Sequence, residues 1–365
     1  MNGGPRRRLT LGDLDFRSNS IGFLRFLFAA TIIWSHAFPL GGFGEDALNR
    51  VNSNAPTTGL LAVGGFFVLS GFLITRSYEN VSSVGRFIWH RFLRIFPAFW
   101  VCLVVTAFGL APLAFAYQHG SLHNYLAEVP GPSSYVTSNF FLAIYQQRIG
   151  TVFAHLPSPF DTNLSLWTLN PEFFCYLCVA ALGIVGVIRR VPAVVGVVTL
   201  MLFTAYAALL WRYGNVYLIQ VEALFVYFAF GAFAYLKRDR IPMSPWIGAL
   251  CGAALLATLT TSAFGYAVIP CIAYLTLFSA IRLPLQGFDR RIDVSYGLYI
   301  YAFPVQQLLV MYGITRFGFT VYFVCALAVT LVLAAASWFT IEKPSLSLKH
   351  LAFGRARAGS ERPAD

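Results

Sequence analysis

Long apolar runs alternate with short polar stretches along the whole chain. A helix needs about 20 predominantly apolar residues to cross the hydrocarbon core of a bilayer. The pattern therefore predicts an all-α fold, a polytopic membrane helix bundle with about ten transmembrane helices. The predicted spans cover residues 20–40, 59–76, 95–117, 166–188, 192–211, 216–236, 246–264, 266–282, 293–313 and 318–341.

The composition agrees with a membrane location. Of the 365 residues, 58% are hydrophobic and 11% are charged, whereas soluble domains carry about a quarter charged residues. The chain has 26 Lys and Arg against 15 Asp and Glu. With ten spans and a cytoplasmic N-terminus, almost all basic residues fall on the cytoplasmic side; the exceptions are Arg25 in the membrane and Arg50, Arg148, Arg212 and Arg316 outside.

This charge distribution follows the positive-inside rule and predicts that both termini are cytoplasmic. The net charge of +11 is then explained by orientation, with affinity for anionic lipid headgroups as a by-product. The lipid bilayer is a predicted partner and nucleic acid is not. We expect the protein in the cytoplasmic (inner) membrane of a bacterium.

A single membrane domain is predicted over residues 20–345. Polar tails at 1–19 and 346–365 flank it in the cytoplasm, and both are expected to be mobile. The largest extracytoplasmic segment, 118–165, contains several prolines, and its apolar stretch NFFLAI is too short to cross the membrane. This segment is a candidate lid over the outer face.

The cysteines do not indicate a metal or redox site. All six fall inside predicted spans. Cys175 and Cys178 have CxxC spacing on one apolar helix, but no second pair accompanies them. The sequence therefore predicts no metal site and no permanently bound cofactor.

Two ionisable residues interrupt the first predicted span. Arg25 and His36 are separated along the chain so that they lie within about 20° of one helical face and about 16 Å apart in depth. Ionisable residues inside spans are costly and usually face a polar cavity. The alternative is that Arg25 snorkels toward the cytoplasm while His36 sits among the outer headgroups.

Two carboxylates are predicted at a depth similar to that of His36, counted from the outer ends of their spans. They are Glu172 in the fourth span and Glu222 in the sixth. A carboxylate can fix the tautomer of an imidazole, which then accepts a proton from a hydroxyl. That equipment suits acyl transfer, but a proton-relay transporter could use the same residues, and Glu222 could be a structural hydrogen-bonding partner.

Arginines cluster where the third span begins. Arg91 and Arg94 are three residues apart on one helical face, with Arg86 nearby. Guanidinium groups bind phosphate in a bidentate fork, so the cluster suits a multiply anionic ligand. The alternative is ordinary positive-inside charge.

Taken together, these features resemble the acyltransferase family 3 of integral membrane O-acyltransferases, over about residues 18–345. The resemblance is carried by an arginine and a histidine with ten residues between them in the first span, and by the stretches GGFFVLSGFLIT, RFLRIFPAFW, LWTLNPEFFCYL, SYGLYIYAFP and IEKP. It implies transfer of an acyl group, often acetyl from acetyl-CoA, to a hydroxyl of a surface carbohydrate. It also implies that Arg25 and His36 are functional. The sequences LWTL and YAFPVQQ resemble those of the family branch that modifies exopolysaccharide or sugar hydroxyls.

Two positions depart from the family pattern. Phe173 stands where many members have a second acidic residue, and Ala302 stands where many have a histidine before the proline of the ninth span. Neither position can carry catalysis in this chain.

The combined hypothesis is an O-acyltransferase. Acyl-CoA binds from the cytoplasm near Arg91, Arg94 and Arg86, and its arm runs past Arg25. A carbohydrate acceptor, lipid-linked or polymeric, enters from the opposite face; His36 takes its hydroxyl proton and Glu172 orients the ring. Further candidates for the pocket are Ser70, Trp167, Glu222 and Tyr296. The competing class is a secondary transporter or exporter, which predicts inverted repeats that the sequence does not display.

Overall fold

The apolar runs fold as helices in the computed structural model, which describes residues 9–159, 161–190, 192–211, 216–288 and 292–351. Within those ranges the chain has no β-strand, only an isolated bridge between Thr10 and Pro242. The main helices are α1 Ile21–Leu40, α2 Thr58–Asn80, α3 Val84–Val105, α4 Leu169–Ile184, α5 Pro192–Trp211, α6 Val216–Leu236, α7 Pro245–Thr258, α8 Phe264–Arg282, α9 Ser295–Met311 and α10 Phe319–Ser337. The predicted all-α membrane bundle is confirmed.

Seven helical stretches of the described chain are long and apolar enough to cross a membrane. They are Ile21–Leu40, Thr58–Asn80, Val84–His119, Leu164–Ile184, Tyr217–Leu236, Phe264–Arg282 and Phe319–Leu351. The shorter α7 and α9 occupy two of the other predicted spans, and the apolar part of α5 occupies the third. Ten crossings and cytoplasmic termini remain predictions.

Small side chains bring α2 and α6 into backbone contact. A Cβ added at Gly71 would overlap the carbonyl oxygen of Phe228, and one added at Gly231 would overlap that of Val68. Small residues allow this close approach between helices in a membrane. The glycines of the GGFFVLSG stretch thus serve helix packing.

Local capping sets where the first helices begin. The hydroxyl of Thr57 accepts a hydrogen bond from Leu60 N at the start of α2, and Ser83 Oγ accepts one from Arg86 N at the start of α3. These oxygens satisfy backbone donors that have no partner within the helix. The α3 helix then continues through a π-helical stretch, Thr106–Leu110, into Ala111–His119.

The two terminal segments pack on the bundle where they are described. Leu11 is fully buried, and its N–H donates to Ile241 O at 2.9 Å. At the other end, Trp89 Nε1 on α3 donates to Leu348 O at 3.1 Å. Residues 9–19 are therefore not the free tail that the sequence suggested; residues 1–8 and 352–365 lie outside the described ranges.

The outer segment 118–165 contains the short helix Pro132–Ser138 and irregular turns. Phe140, from the NFFLAI stretch, stacks on Trp100 of α3 with ring centroids 4.6 Å apart. Gln307 Nε2 of α9 donates to Ser158 O at 2.8 Å and to Asp161 O at 2.9 Å. The segment is thereby fastened to two helices of the bundle, and its role as a lid remains a prediction.

Candidate active site

Among the described residues, two cavities lie one above the other along α1 and α2. Named by the predicted topology, the inner cavity, of about 160 Å³, includes Arg25 in its wall, and the outer cavity, of about 390 Å³, includes His36. On the α2 side, the outer cavity is lined by Thr57, and the inner one begins at Val63. Six residues of helix separate those positions, or about 9 Å.

The antiparallel packing of α1 and α2 fixes this order. A Cβ added at Gly59 would lie 2.8 Å from Ser35 Oγ, and one added at Gly65 would lie 2.5 Å from the ring of Phe28. The outer end of α2 therefore faces the His36 end of α1. Arg25 and His36, which both lie on α1, consequently line two different cavities, as their difference in depth predicts.

The inner cavity brings together three of the arginines that the sequence singled out. Arg25 of α1 and both Arg91 and Arg94 of α3 line it. Arg86 is placed differently: its Nη1 donates to Ser82 Oγ, 3.3 Å away in the segment just before α3. Of the three arginines predicted to bind phosphate, Arg91 and Arg94 therefore line the inner cavity together with Arg25, and Arg86 does not.

A carboxylate that sequence reasoning missed joins two of these arginines. Asp293, two residues before α9, accepts on Oδ2 from Arg25 Nη1 and from Arg94 Nη2, each at 2.6 Å. Its Oδ1 accepts from the N–H and the hydroxyl of Ser295, at 3.2 and 2.6 Å. Glu342, from the IEKP stretch, lies 3.8 Å from Arg94 Nη1.

Arg91 differs from its neighbours. Its Nε is buried and has no hydrogen-bond partner among the residues that the structure describes. The guanidinium lies near the ring of Phe87, with its carbon 6.0 Å from the ring centroid. Arg91 therefore lines the inner cavity and has a buried donor that no described residue satisfies.

Glu172 also lines the inner cavity, together with Ser70. One carboxylate oxygen accepts from Tyr176 OH at 2.5 Å and from Ser70 Oγ at 3.2 Å. Tyr296 lies in the same wall, and its hydroxyl donates to Ile95 O at 2.9 Å. Ser70 and Tyr296 are therefore pocket residues of the inner cavity.

The expected pairing of Glu172 with His36 is wrong. Glu172 contacts Ser70, which is twelve residues beyond Thr58 at the outer end of α2, or about 18 Å deeper. The outer end of α4 is recessed below the outer end of α1. Counting residues from each helix end assumed that all helices begin at one level, and that assumption failed for α4.

His36 lies in the outer cavity. Its Nδ1 is buried and makes no hydrogen bond within the described part of the chain, and its ring packs edge-on against Phe303, with centroids 5.6 Å apart. The other polar side chains of this cavity come from Ser35 and from the segment between α1 and α2: Glu45, Asp46, Asn49, Ser53 and Thr57. The histidine therefore faces a polar space near the outer end of α1.

Asp46 is the carboxylate that shares this cavity with His36. Its Oδ2 accepts from Ser35 Oγ at 2.7 Å and from Thr58 Oγ1 at 2.5 Å, while Oδ1 accepts from the N–H groups of Leu48 and Thr58, both at 3.0 Å. Burial alone would raise the pKa of Asp46, but these four hydrogen bonds outweigh it and lower the pKa. A fixed negative charge thus lies beside the histidine.

Two other candidates lie away from both cavities. Trp167 packs against Tyr217, with ring centroids 5.6 Å apart. Glu222 of α6 has a buried Oε1 without a hydrogen-bond partner in the described ranges, and it lines neither cavity. Within the described residues, no group of three or more His, Cys, Asp and Glu is arranged to hold a metal ion.

Sequence signals for the missed carboxylates exist in retrospect. Asp46 precedes a helical turn at 47–51, where Asp is a favoured capping residue. Asp293 lies two positions before the SYGLYIYAFP stretch. Asp46 lies outside the predicted spans and Asp293 is the first residue of one, so neither carboxylate interrupts an apolar run.

A buried arginine cluster at the inner end of a helix bundle and a histidine–carboxylate pair toward its outer end suit an integral membrane transferase. The acyltransferase family 3, described as an acyltransferase domain, matches residues 18–339, and the chain belongs to this family.

Two relatives align with nearly the whole chain. The "Nodulation protein 10" of Rhizobium leguminosarum bv. viciae is 28% identical over 364 residues, covering 91% of this chain and 94% of that protein. The "O-acetyl transferase" of Shigella phage Sf6 is 28% identical over 354 residues, covering 91% and 97%. No solved structure matches the chain significantly.

Proposed function

We propose that the protein is a membrane O-acyltransferase that moves an acyl group, in the first instance acetyl, from cytoplasmic acyl-CoA to a hydroxyl of an exported or cell-surface carbohydrate. One observation carries the proposal. The same helix, α1, contributes an arginine to an anion-attracting inner cavity and a histidine to a polar outer cavity. A donor and an acceptor can therefore approach one reaction path from opposite sides.

The inner cavity suits the donor. CoA carries several phosphates, and Arg91 offers a buried guanidinium with an unused donor. Toward the outer end, the cavity wall becomes apolar and aromatic at Val63, Phe66 and Tyr299. This gradient matches a molecule with anionic groups at one end and a pantetheine arm bearing a thioester at the other.

The outer cavity suits the acceptor. His36 is the proposed general base, and Asp46 takes the supporting role that the sequence gave to Glu172. The charge of Asp46 favours the imidazolium that forms when His36 removes the hydroxyl proton. Glu172, with Ser70 and Tyr176, then belongs to the donor side.

In the proposed reaction, the acceptor oxygen attacks the thioester carbonyl carbon while its proton passes to His36. A C–O bond forms, the C–S bond breaks, and the CoA thiolate leaves toward the inner cavity. The thioester must extend from the arginines to His36, whose position on α1 is about 16 Å above Arg25. We place no covalent enzyme intermediate on this path.

The names of the relatives support the choice of substrate class. One is called an O-acetyl transferase and the other a nodulation protein. We propose a lipid-linked or polymeric glycan, including exopolysaccharide, as the acceptor and the bacterial inner membrane as the location. The alternative is a secondary transporter or exporter, and the test below distinguishes it from an acyltransferase.

The test incubates membranes containing the protein with radiolabelled acetyl-CoA and glycan extracted from the host. Label is expected to enter the glycan, and His36→Ala should abolish this transfer. His123→Ala, which alters an exposed histidine of the outer segment, is the matched control and should leave transfer unchanged. Wild-type protein that moves no label, or His36→Ala with full activity at equal protein level, would contradict the assignment.

A further inference from the structure

Asp293 accepts hydrogen bonds from two arginines of the inner cavity, Arg25 and Arg94. Arg25 Nη1 and Arg94 Nη2 meet at a single oxygen, each at 2.6 Å. These arginines come from α1 and α3, and Asp293 lies just before α9. Two guanidinium groups brought together without a carboxylate between them would repel each other. The position of the pair therefore depends on Asp293.

The carboxylate is itself held in place. Its other oxygen accepts from the N–H and the hydroxyl of Ser295, so its plane and its distance from α9 are fixed. The side chains of Arg25, Arg94 and Asp293 are 24%, 19% and 18% exposed, respectively. In such a partly dry setting the charge-assisted hydrogen bonds are stronger than at an open surface.

From this geometry we infer that Asp293 is a positioning residue for the acyl-CoA site: it braces Arg25 and Arg94 and leaves Arg91 to bind the donor's phosphate directly. The inference rests on the proposed function. The braced arginines supply a positive field from fixed positions, because each donates through one nitrogen to the carboxylate. Arg91 supplies the contact, because its Nε has no partner among the described residues.

The first experiment measures binding of CoA, which cannot react, to the purified full-length protein in detergent. Asp293→Asn removes the charge and keeps the shape, and we expect its dissociation constant for CoA to rise at least about tenfold because the arginines lose their fixed positions. Asp239→Asn, at an exposed cytoplasmic turn by the predicted topology, is the matched control and should bind like the wild type.

The second readout separates positioning from a general loss of structure. In acetyl transfer, Asp293→Asn should raise KM for acetyl-CoA by a similar factor and lower kcat by less than about threefold. Asp293→Glu, which restores the charge, should recover part of the affinity. The double variant R25Q/D293N should bind CoA no more weakly than the worse single variant, because both changes break one brace.

If Asp293→Asn does not yield folded protein, Ser295→Ala tests the same brace more gently. It removes the 2.6 Å hydrogen bond to Oδ1 and should weaken CoA binding about threefold. The brace alone would be overturned if the wild type binds CoA and Asp293→Asn binds it equally well or more tightly. Where Asp293→Asn does not fold, the same result in Ser295→Ala would overturn it. Wild-type protein that binds no CoA would overturn the proposed function as well.

Discussion

The inner and outer cavities both contain ionised groups, but they compensate the charge in different ways. In the inner cavity, Asp293 binds Arg25 and Arg94, which are 268 and 199 positions away in the chain. In the outer cavity, Asp46 is satisfied by neutral hydroxyl and amide donors within 12 positions of it. One cavity depends on the assembly of distant helices, and the other depends on a single local segment.

This difference suits the two proposed tasks. A donor with several phosphates needs positive charge from more than one helix, and the bundle must be assembled before that charge is concentrated. A general base needs a nearby negative charge whose position does not vary. The local segment around Asp46 provides that charge on the same antiparallel pair, α1 and α2, that positions His36.

The largest effect is expected from His36→Gln, which removes the base while keeping a polar side chain. The acetyl transfer rate should fall about 100- to 10,000-fold, the range typical of general acid–base catalysis. The dissociation constant for CoA should stay unchanged, because the arginines lie in the other cavity. Both are measured on one purified sample, by radiolabel transfer and by titration with CoA.

A parallel loss of CoA affinity in His36→Gln would break the comparison. It would mean that the histidine contributes to donor binding and that the two cavities act as one site. The rate loss alone, with unchanged affinity, assigns chemistry to the outer cavity.

The next effect separates Arg91, the first residue of the RFLRIFP motif, from Arg86, five positions earlier. Arg91→Met should raise KM for acetyl-CoA about tenfold, since it removes a charge-assisted contact to phosphate. Arg86→Met is the matched control, because Arg86 contacts Ser82 and does not line the cavity. Equal KM values for the two variants would reduce both arginines to signals of membrane orientation.

A smaller effect concerns pH and the local segment. The pKa of Asp46 is lowered below its ordinary value of 3.8, because its hydrogen bonds outweigh the effect of burial. The stability that this carboxylate contributes is therefore complete above about pH 4 and is lost as pH falls through the folded-state pKa. Thermal unfolding followed at decreasing pH should show a loss of stability below pH 4.

Asp46→Asn provides the comparison for that measurement. It should start less stable at neutral pH and lose less stability on acidification, because its side chain does not titrate. Identical pH profiles for the two proteins would mean that the four hydrogen bonds do not favour the ionised form.

These contrasts explain which features the sequence could predict. Helix positions follow from apolar runs, because burial in lipid needs length and hydrophobicity alone. The shared face of Arg25 and His36 follows from helix geometry. The partners of these two residues do not follow, since Asp293 is distant in the chain and the depth of Glu172 depends on the recessed start of α4.

The smallest expected effect concerns the aromatic residues in the outer part of the inner cavity. Phe66 lines the outer part of the inner cavity, and its ring lies 5.6 Å from that of Phe28 and 6.4 Å from that of Tyr299. If the acyl end of the donor passes this aromatic group on its way to His36, the ring restricts longer acyl chains. Phe66→Ala should then raise the transfer rate with butyryl-CoA, relative to acetyl-CoA, by about tenfold, the lower end of the range for a methylene group in an apolar pocket. Phe173→Ala, which alters an aromatic residue beside Phe96 outside the cavity lining, is the matched control. An unchanged ratio in Phe66→Ala would place the acyl group elsewhere and leave these rings a packing feature of α1, α2 and α9.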